Sequence, residues 1–139
     1  MMNVLIIEDE AKAARELSNM LVHIDDTINV LTILDSVEQS LQWFANHQQP
    51  DLIFSDIQLA DGLCFDIYQQ INIQSPVVFC TAFDEYLMDA FDTNAVSYLL
   101  KPVTHEKLEK ALDKFNMLRS AFEKEKNQTA FTGLLQQLK

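Results

Sequence analysis

Three consecutive carboxylates, Glu8, Asp9 and Glu10, follow at once on the apolar run Val4-Leu5-Ile6-Ile7. Like charges crowded at the mouth of a core must take up a proton or recruit a cation. Other reactive groups stand in the same relation to apolar runs: Asp56 closes "LIFSD", Thr81 closes "VVFCT" and Lys101 closes "SYLLK". Oxygen-only donors suit a hard ion, and Mg2+ held by one or two carboxylates, a backbone carbonyl and waters fits best. A carboxylate can attack a phosphoryl group and carry it as an acyl phosphate, which makes Asp56 the candidate nucleophile. The cation would neutralise charge on the transferring group, while Thr81 donates a hydroxyl hydrogen bond to one phosphoryl oxygen and Lys101 pairs with another. Each element alone has an ordinary explanation: a solvated helix start, a turn aspartate, a capping hydroxyl, a strand ended by Lys-Pro. The chemical reading depends on all four falling at one edge. Glu10 is expected outside the group, in the first turn of a helix, where a carboxylate favours the dipole.

Alternating elements would bring these residues together. Apolar runs at 3–7, 28–34, 51–55, 76–80 and 96–100 read as strands, and "DLIFSD" and "PVVFCT" lack the alternation of a half-exposed strand. Helical patterns fill 10–23, 36–48, 63–72, 84–92 and 104–126, with Ser36, Asp84 and Thr104 where N-caps are wanted. Ala14, Leu17, Leu21 and Ile24 share one stripe of the first helix. Five such units predict a flavodoxin-like, doubly wound α/β fold: a five-stranded parallel sheet, order 2-1-3-4-5, with helices on both faces. Ligands in such sheets bind at the carboxyl ends of strands. The first and third strands are neighbours in that order, so Glu8, Asp9 and Asp56 should converge. Gly62 is expected to permit a tight turn into the third helix. A single domain over 1–126 is expected, followed by 127–139 as a linker or short amphipathic helix.

Composition narrows the function further. Acidic residues outnumber basic ones 21 to 10, a net charge of −11, so contact with a nucleic-acid backbone by this stretch is disfavoured. Two glycines, Gly62 and Gly133, are too few and too distant for a dinucleotide fingerprint or a P-loop. His23, His47 and His105 are scattered, with no zinc-ligand spacing. Cys64 and Cys80 form no CxxC pair and are expected as buried thiols in a reducing cytosol. The first strand candidate leaves no room for a signal peptide, and no apolar run approaches the roughly 20 residues of a membrane span. A cytoplasmic location is therefore expected.

From Asn3 to about Arg119, "LIIEDE", "LIFSDIQLADG", "VVFCTAFDEY" and "SYLLKPV" resemble the receiver domains of two-component response regulators. The resemblance implies that Asp56 is phosphorylated by a sensor histidine kinase. It implies that Glu8 and Asp9 form the acid pair, with Asp9 the more direct metal ligand, and that Gln58 gives a backbone carbonyl to Mg2+. Thr81 would be the switch threonine, Lys101 the pairing lysine and Tyr98 the switch aromatic. A cis bond before Pro102 and a homodimer through the fourth helix, fifth strand and fifth helix are also expected. The run Gln58-Leu59-Ala60-Asp61-Gly62, where many receivers have Met-Pro, and Glu8 in place of a first aspartate resemble the subgroup that precedes LytTR-type DNA-binding domains. Such a protein catalyses only its own phosphorylation and dephosphorylation. Three other readings compete. A metal-dependent phosphatase of the haloacid-dehalogenase type would carry an acid where Gln58 stands. A flavodoxin-like cofactor binder would want a hydroxyl-rich loop where "EDEAKA" stands. A phosphorylation-independent interaction module would not need Asp56, Asp9, Thr81 and Lys101 together.

Overall fold

The computed structural model describes residues 2–137, with side chains described as far as Glu123. In chain order the elements are β1 (Met2–Ile7), α1 (Ala11–Ile24), β2 (Ile28–Leu34), α2 (Val37–Asn46), β3 (Leu52–Ser55), β4 (Gln58–Leu59), β5 (Gly62–Leu63), α3 (Phe65–Gln70), β6 (Val77–Thr81), α4 (Leu87–Phe91), β7 (Ala95–Leu100) and α5 (His105–Gln137). Five of the strands form one parallel sheet in the order β2-β1-β3-β6-β7. Counting those five alone, this is the expected 2-1-3-4-5 arrangement.

Side-chain alternation along the strands sorts the core into two layers. Val4, Ile6, Leu52, Phe54, Val78 and Cys80 face α1 and α5, where Ala14, Leu17, Leu21, Leu108, Ala111, Leu112 and Phe115 meet them. Leu5, Ile7, Ile53, Val77 and Phe79 face the other way, against Val37 and Phe44 of α2, Ile67 of α3 and Ala90 of α4. β3 and β6 are buried along their whole length, which is why their sequences show no polar alternation. Each fully buried Leu, Ile or Phe contributes about 1.5–3 kcal/mol, so both layers hold the sheet strongly. Cys64 and Cys80 are free, buried thiols, and burial pushes the Cys80 thiol up to about 12. Among the described residues, no helix is long and apolar enough to cross a membrane.

The helix starts at Ser36 and Thr104 are as expected: Ser36 Oγ accepts the Gln39 amide at 3.0 Å and Thr104 Oγ1 accepts the Lys107 amide at 3.3 Å. Asp84 is not a cap. Its carbonyl accepts the Leu87 amide in a turn, and α4 begins after Tyr86, which makes no side-chain capping bond. Thr93 closes α4 early, because its amide and its hydroxyl both turn back on the Ala90 carbonyl. Glu10 is the residue before α1 rather than part of its first turn. α5 runs unbroken through Gly133 to Gln137, where the last helix was expected to end near 126 and 127–139 to be a linker or short amphipathic helix; residues 138 and 139 lie outside the described residues. One interior glycine costs about 1 kcal/mol, too little to stop a helix flanked by Lys, Glu, Gln and Leu.

The antiparallel pair β4–β5 was not anticipated. It occupies residues given to the start of the third helix and delays α3 to Phe65. Gly62 serves this hairpin rather than a turn directly into the helix. Its φ is +154°, and a Cβ there would stand 2.7 Å from Asp66 Oδ2. Asp61, at the hairpin tip, reaches across to α2, where its two carboxylate oxygens accept the Val37 and Glu38 amides at 2.8 and 3.0 Å. These are two of the donors that a helix start leaves without partners. Bonds from the Glu38 and Val37 amides hold the Asp61 carboxyl below its usual range. A depressed carboxyl pKa means stability that is present above the unfolded value, about 3.9, and is lost as pH falls through the folded value. Asp61→Ala should therefore lower stability at pH 7 by about 1 kcal/mol in urea unfolding. The gap between variant and wild type should close as the pH is taken below about 4; a gap that persists in acid would rule out the carboxylate as its source.

Candidate functional site at the carboxyl edge of the sheet

The parallel ladder continues one residue past the strand ends, and this sets where the reactive side chains start. Ile7 pairs with Ser55, and Thr81 with Leu100. Beyond those pairs, the Glu8 amide donates to the Leu34 carbonyl, the Asp56 amide to the Ile7 carbonyl and the Lys101 amide to the Thr81 carbonyl, each at 2.8 Å. Glu8, Asp56 and Lys101 are therefore fixed in backbone position before any side-chain contact forms. Thr81 is the last residue of β6 and is fully buried. The bond between Lys101 and Pro102 is cis, as expected.

The side chains converge. One oxygen each from Glu8, Asp9 and Asp56 lies within 4.8 Å of the others. Lys101 Nζ donates to Glu8 Oε1 in a close ion pair and to Asp56 Oδ2 at 3.0 Å. Asp56 Oδ1 accepts its neighbour's amide, that of Ile57, at 2.7 Å. Asp9 is exposed, whereas Glu8 is buried to 6% exposure, and Glu8 Oε2 is a buried oxygen with no hydrogen-bond partner. Burial is the main cause that pushes the Glu8 carboxyl up to about 7; the hydrogen bond from Lys101 opposes this, and Asp56 adds to it. Burial also disfavours the Lys101 ammonium, but its bonds to Glu8 and Asp56 outweigh that and hold its pKa above the usual lysine value. The two shifts are consistent because one ammonium is shared between carboxylates: the lysine is fully compensated and Glu8 is not.

Two ionised carboxylates at such a separation repel by roughly 3–4 kcal/mol at an effective dielectric of about 20. That is a large fraction of the 5–15 kcal/mol that stabilises a typical domain. The donors are all oxygen, the charge is in excess, and a buried oxygen lacks a partner. These features fit a hard divalent cation on Glu8, Asp9 and Asp56. The other predicted residues, Thr81, Tyr98 and Gln58, make bonds of their own to the segment after β6. Thr81 Oγ1 accepts the Phe83 amide at a long 3.4 Å. The Tyr98 hydroxyl donates to the Phe83 carbonyl, so that it ties β7 to the loop after β6. Gln58 begins β4, and its side-chain amide donates to the Tyr86 hydroxyl at 2.9 Å. Asp61 and Tyr86 were not singled out from the sequence. An acid beside a glycine reads as a turn and an aromatic before a helix reads as core, and both partners are distant in sequence.

The family model for the response regulator receiver domain matches residues 4–113, and the chain belongs to that family. It is 38% identical over 116 residues to the Sensory transduction protein LytT of Enterococcus faecalis, covering 81% of this chain and 47% of that protein. Against the Sensory transduction protein LytT of Bacillus subtilis it is 33% identical over 134 residues, covering 94% and 55%. The chain thus spans about half the length of these curated relatives. Among solved structures, it resembles the response regulatory domain of protein mrkE from Klebsiella pneumoniae at 28% identity and a TM-score of 0.70, covering 88% of this chain and 99% of that one. It also resembles the N-terminal domain of a response regulator/sensory box/GGDEF 3-domain protein from Carboxydothermus hydrogenoformans, at 27% identity and a TM-score of 0.71 over 86% and 97%. Receiver domains of response regulators take phosphoryl groups from sensor histidine kinases and use Mg2+ at an acidic pocket; they are not conventional enzymes.

A raised carboxyl pKa carries the opposite sign from that of Asp61. The stability it brings is fully present below the unfolded value of about 4.5 and is lost as pH rises through about 7. In metal-free protein the Glu8 carboxyl carbon should titrate near pH 7 by NMR, and saturating Mg2+ should move that midpoint down. A midpoint that is near 7 without Mg2+ and does not move with it would remove Glu8 from the cation site.

Proposed function

We propose that this chain is the phosphoacceptor module of a two-component regulator, in which Asp56 takes a phosphoryl group from a sensor histidine kinase. The observation that carries the reading is Asp56 at the end of β3, held at 3.0 Å by Lys101 and within 4.8 Å of the Glu8 and Asp9 carboxylates. An Asp56 carboxylate oxygen attacks phosphorus, forming a P–O bond as the P–N bond of the phosphohistidine breaks. The imidazole nitrogen leaves with the electron pair. Both Asp56 oxygens keep a free lone pair beyond their bonds to Ile57 and Lys101, so either can act. Glu8, Asp9, Asp56 and the Gln58 backbone carbonyl would hold Mg2+, which when bound would supply neutralising charge to the transferring group. Lys101 holds a phosphoryl oxygen, and Thr81 turns its hydroxyl from Phe83 toward another. Phosphorylation and dephosphorylation are thus promoted by the chain's own residues, with no separate substrate turned over.

The output side of the proposal rests on the relatives. They are about twice as long and carry the name Sensory transduction protein. Residues 1–126 would be the receiver and 127–139 the connection to a LytTR-type DNA-binding output, in a cytoplasmic transcription regulator. The acidic receiver itself would touch neither nucleic acid nor membrane. Thr81 and Tyr98 both hold the loop at Phe83, so a move of Thr81 would pass to α4 and β7. That face exposes Leu87, Met88, Phe91 and Leu100, with Met88 and Phe91 at 75% and 70%, and supports a homodimer through α4, β7 and α5.

Intact mass after treatment with acetyl phosphate and Mg2+ should show one added phosphoryl group. Chelation of Mg2+ should abolish it, and so should Asp56→Asn. Phosphate retained on the Asn variant would overturn the assignment. In sedimentation, beryllofluoride with Mg2+ should raise the dimer fraction, and Phe91→Asp should block that rise. An unchanged mean mass at high concentration would remove the dimer from the proposal.

A further inference from the structure

We propose that Gln58 is a positioning residue: its side-chain amide tethers Tyr86, and with it the start of α4, until Thr81 moves. This inference rests on the phosphoacceptor reading and adds to it a restraint on the resting state. The Gln58 amide lies 2.9 Å from the Tyr86 hydroxyl, 28 residues away in sequence. In either amide orientation the pair is joined, since the phenol both donates and accepts. The bond spans two segments that are held very differently. At one end, Gln58 pairs with Leu63 in the β4–β5 hairpin, whose tip is pinned to α2 by both oxygens of Asp61. At the other end, Tyr86 precedes a five-residue helix with no side-chain cap. The loop between Thr81 and Tyr86 is held by the long 3.4 Å contact at Thr81 and by the Tyr98 hydroxyl at Phe83.

When the Thr81 hydroxyl turns away from the Phe83 amide, the four residues between Thr81 and Tyr86 lose one of their two holds and keep only the Tyr98 hydroxyl at Phe83, while Gln58 keeps its place in the hairpin. The Gln58–Tyr86 bond therefore belongs to the resting arrangement and opposes the change. An exposed bond between neutral groups is modest, so its loss should favour the switched arrangement by roughly threefold. Tyr86 also packs its ring near Phe65, 6.3 Å between centroids. Tyr86→Phe keeps that packing and removes only the hydroxyl. It also leaves Gln58 and its backbone untouched, so the tether is separated from any cation contact at Gln58.

The test uses the whole chain as wild type, Gln58→Leu, Tyr86→Phe and the double variant. Phosphorylation by acetyl phosphate with Mg2+ is timed by intact mass, and the amide signals of residues 84–91 are recorded without phosphate. Each single variant should be phosphorylated about threefold faster, and the double variant no faster than either. Both singles should shift the same amide signals in the same direction. A double variant whose gain is the product of the single gains would overturn the tether, as would single variants that lose stability without gaining rate. If the wild type takes no phosphate at all, the phosphoacceptor reading falls alone, and the tether then stands or falls on whether the two singles move the same amides.

Discussion

Lys101 reaches from the end of β7 to carboxylates on two other strands, Glu8 after β1 and Asp56 after β3. It can do so because its own amide continues the β6–β7 ladder onto the Thr81 carbonyl. The side chain therefore starts from the same layer as the acids it meets. A lysine one residue earlier would point to the other face of the sheet, because strand side chains alternate. The register of five parallel strands is thus what the chemistry depends on. Two fully packed apolar layers, one under α1 and α5 and one under α2, α3 and α4, hold that register.

The sheet order and the converging acids were legible in the sequence because both are written in local patterns. Unbroken apolar runs such as "LIFS" and "VVFCT" mark strands buried on both faces, and a charged or hydroxyl residue at each run's end marks the ligand edge. Where the reading failed, the deciding interactions were between distant residues or backbone groups. The β4–β5 hairpin consists of two residues a side, too few to show a period. Its stability comes partly from Asp61 reaching α2, 23 and 24 residues away. α4 is shorter than the expected 84–92 because the turn from Asp84 to Leu87 delays its start and Thr93, turning back on Ala90, ends it at Phe91. Asp84 has the composition of a cap, but its carbonyl, not its side chain, makes the turn. Gln58 was singled out only for its backbone carbonyl; its side-chain bond to Tyr86 had no signal, since exposed glutamines and half-buried tyrosines are common.

The same comparison divides the molecule into parts that hold and parts that yield. β1, β3 and β6 contribute Leu5, Ile6, Phe54 and Phe79, all fully buried, and opening them would expose the whole core. α4 buries Ala90 alone and leaves Leu87, Met88 and Phe91 in solvent. Its start is held by a turn, a phenol–amide bond and a loop with one long contact. Local opening is cheapest where few apolar groups are buried and backbone bonds are exposed. A conformational signal from the carboxyl edge should therefore move through α4 rather than through the sheet. Thr81 is fully buried at the last position of β6, so it joins the two regimes: its backbone is locked in the ladder and its hydroxyl is held only weakly.

Burying Glu8 is costly, and the cost fits its place at the site. A carboxyl at 6% exposure with one orphaned oxygen is destabilised when ionised, and burial pushes its pKa up to about 7. A glutamine or an apolar residue would fill the position at less expense to the fold. What neither could provide is a carboxyl group held beside Asp56 and Lys101 that can ionise when positive charge is added to the site. Lys101 is shared between Glu8 and Asp56, so one positive charge stands against three acidic side chains and the site keeps negative charge in excess. The fold thus holds the site slightly out of electrostatic balance, and the apolar layers beneath it are strong enough to keep it so.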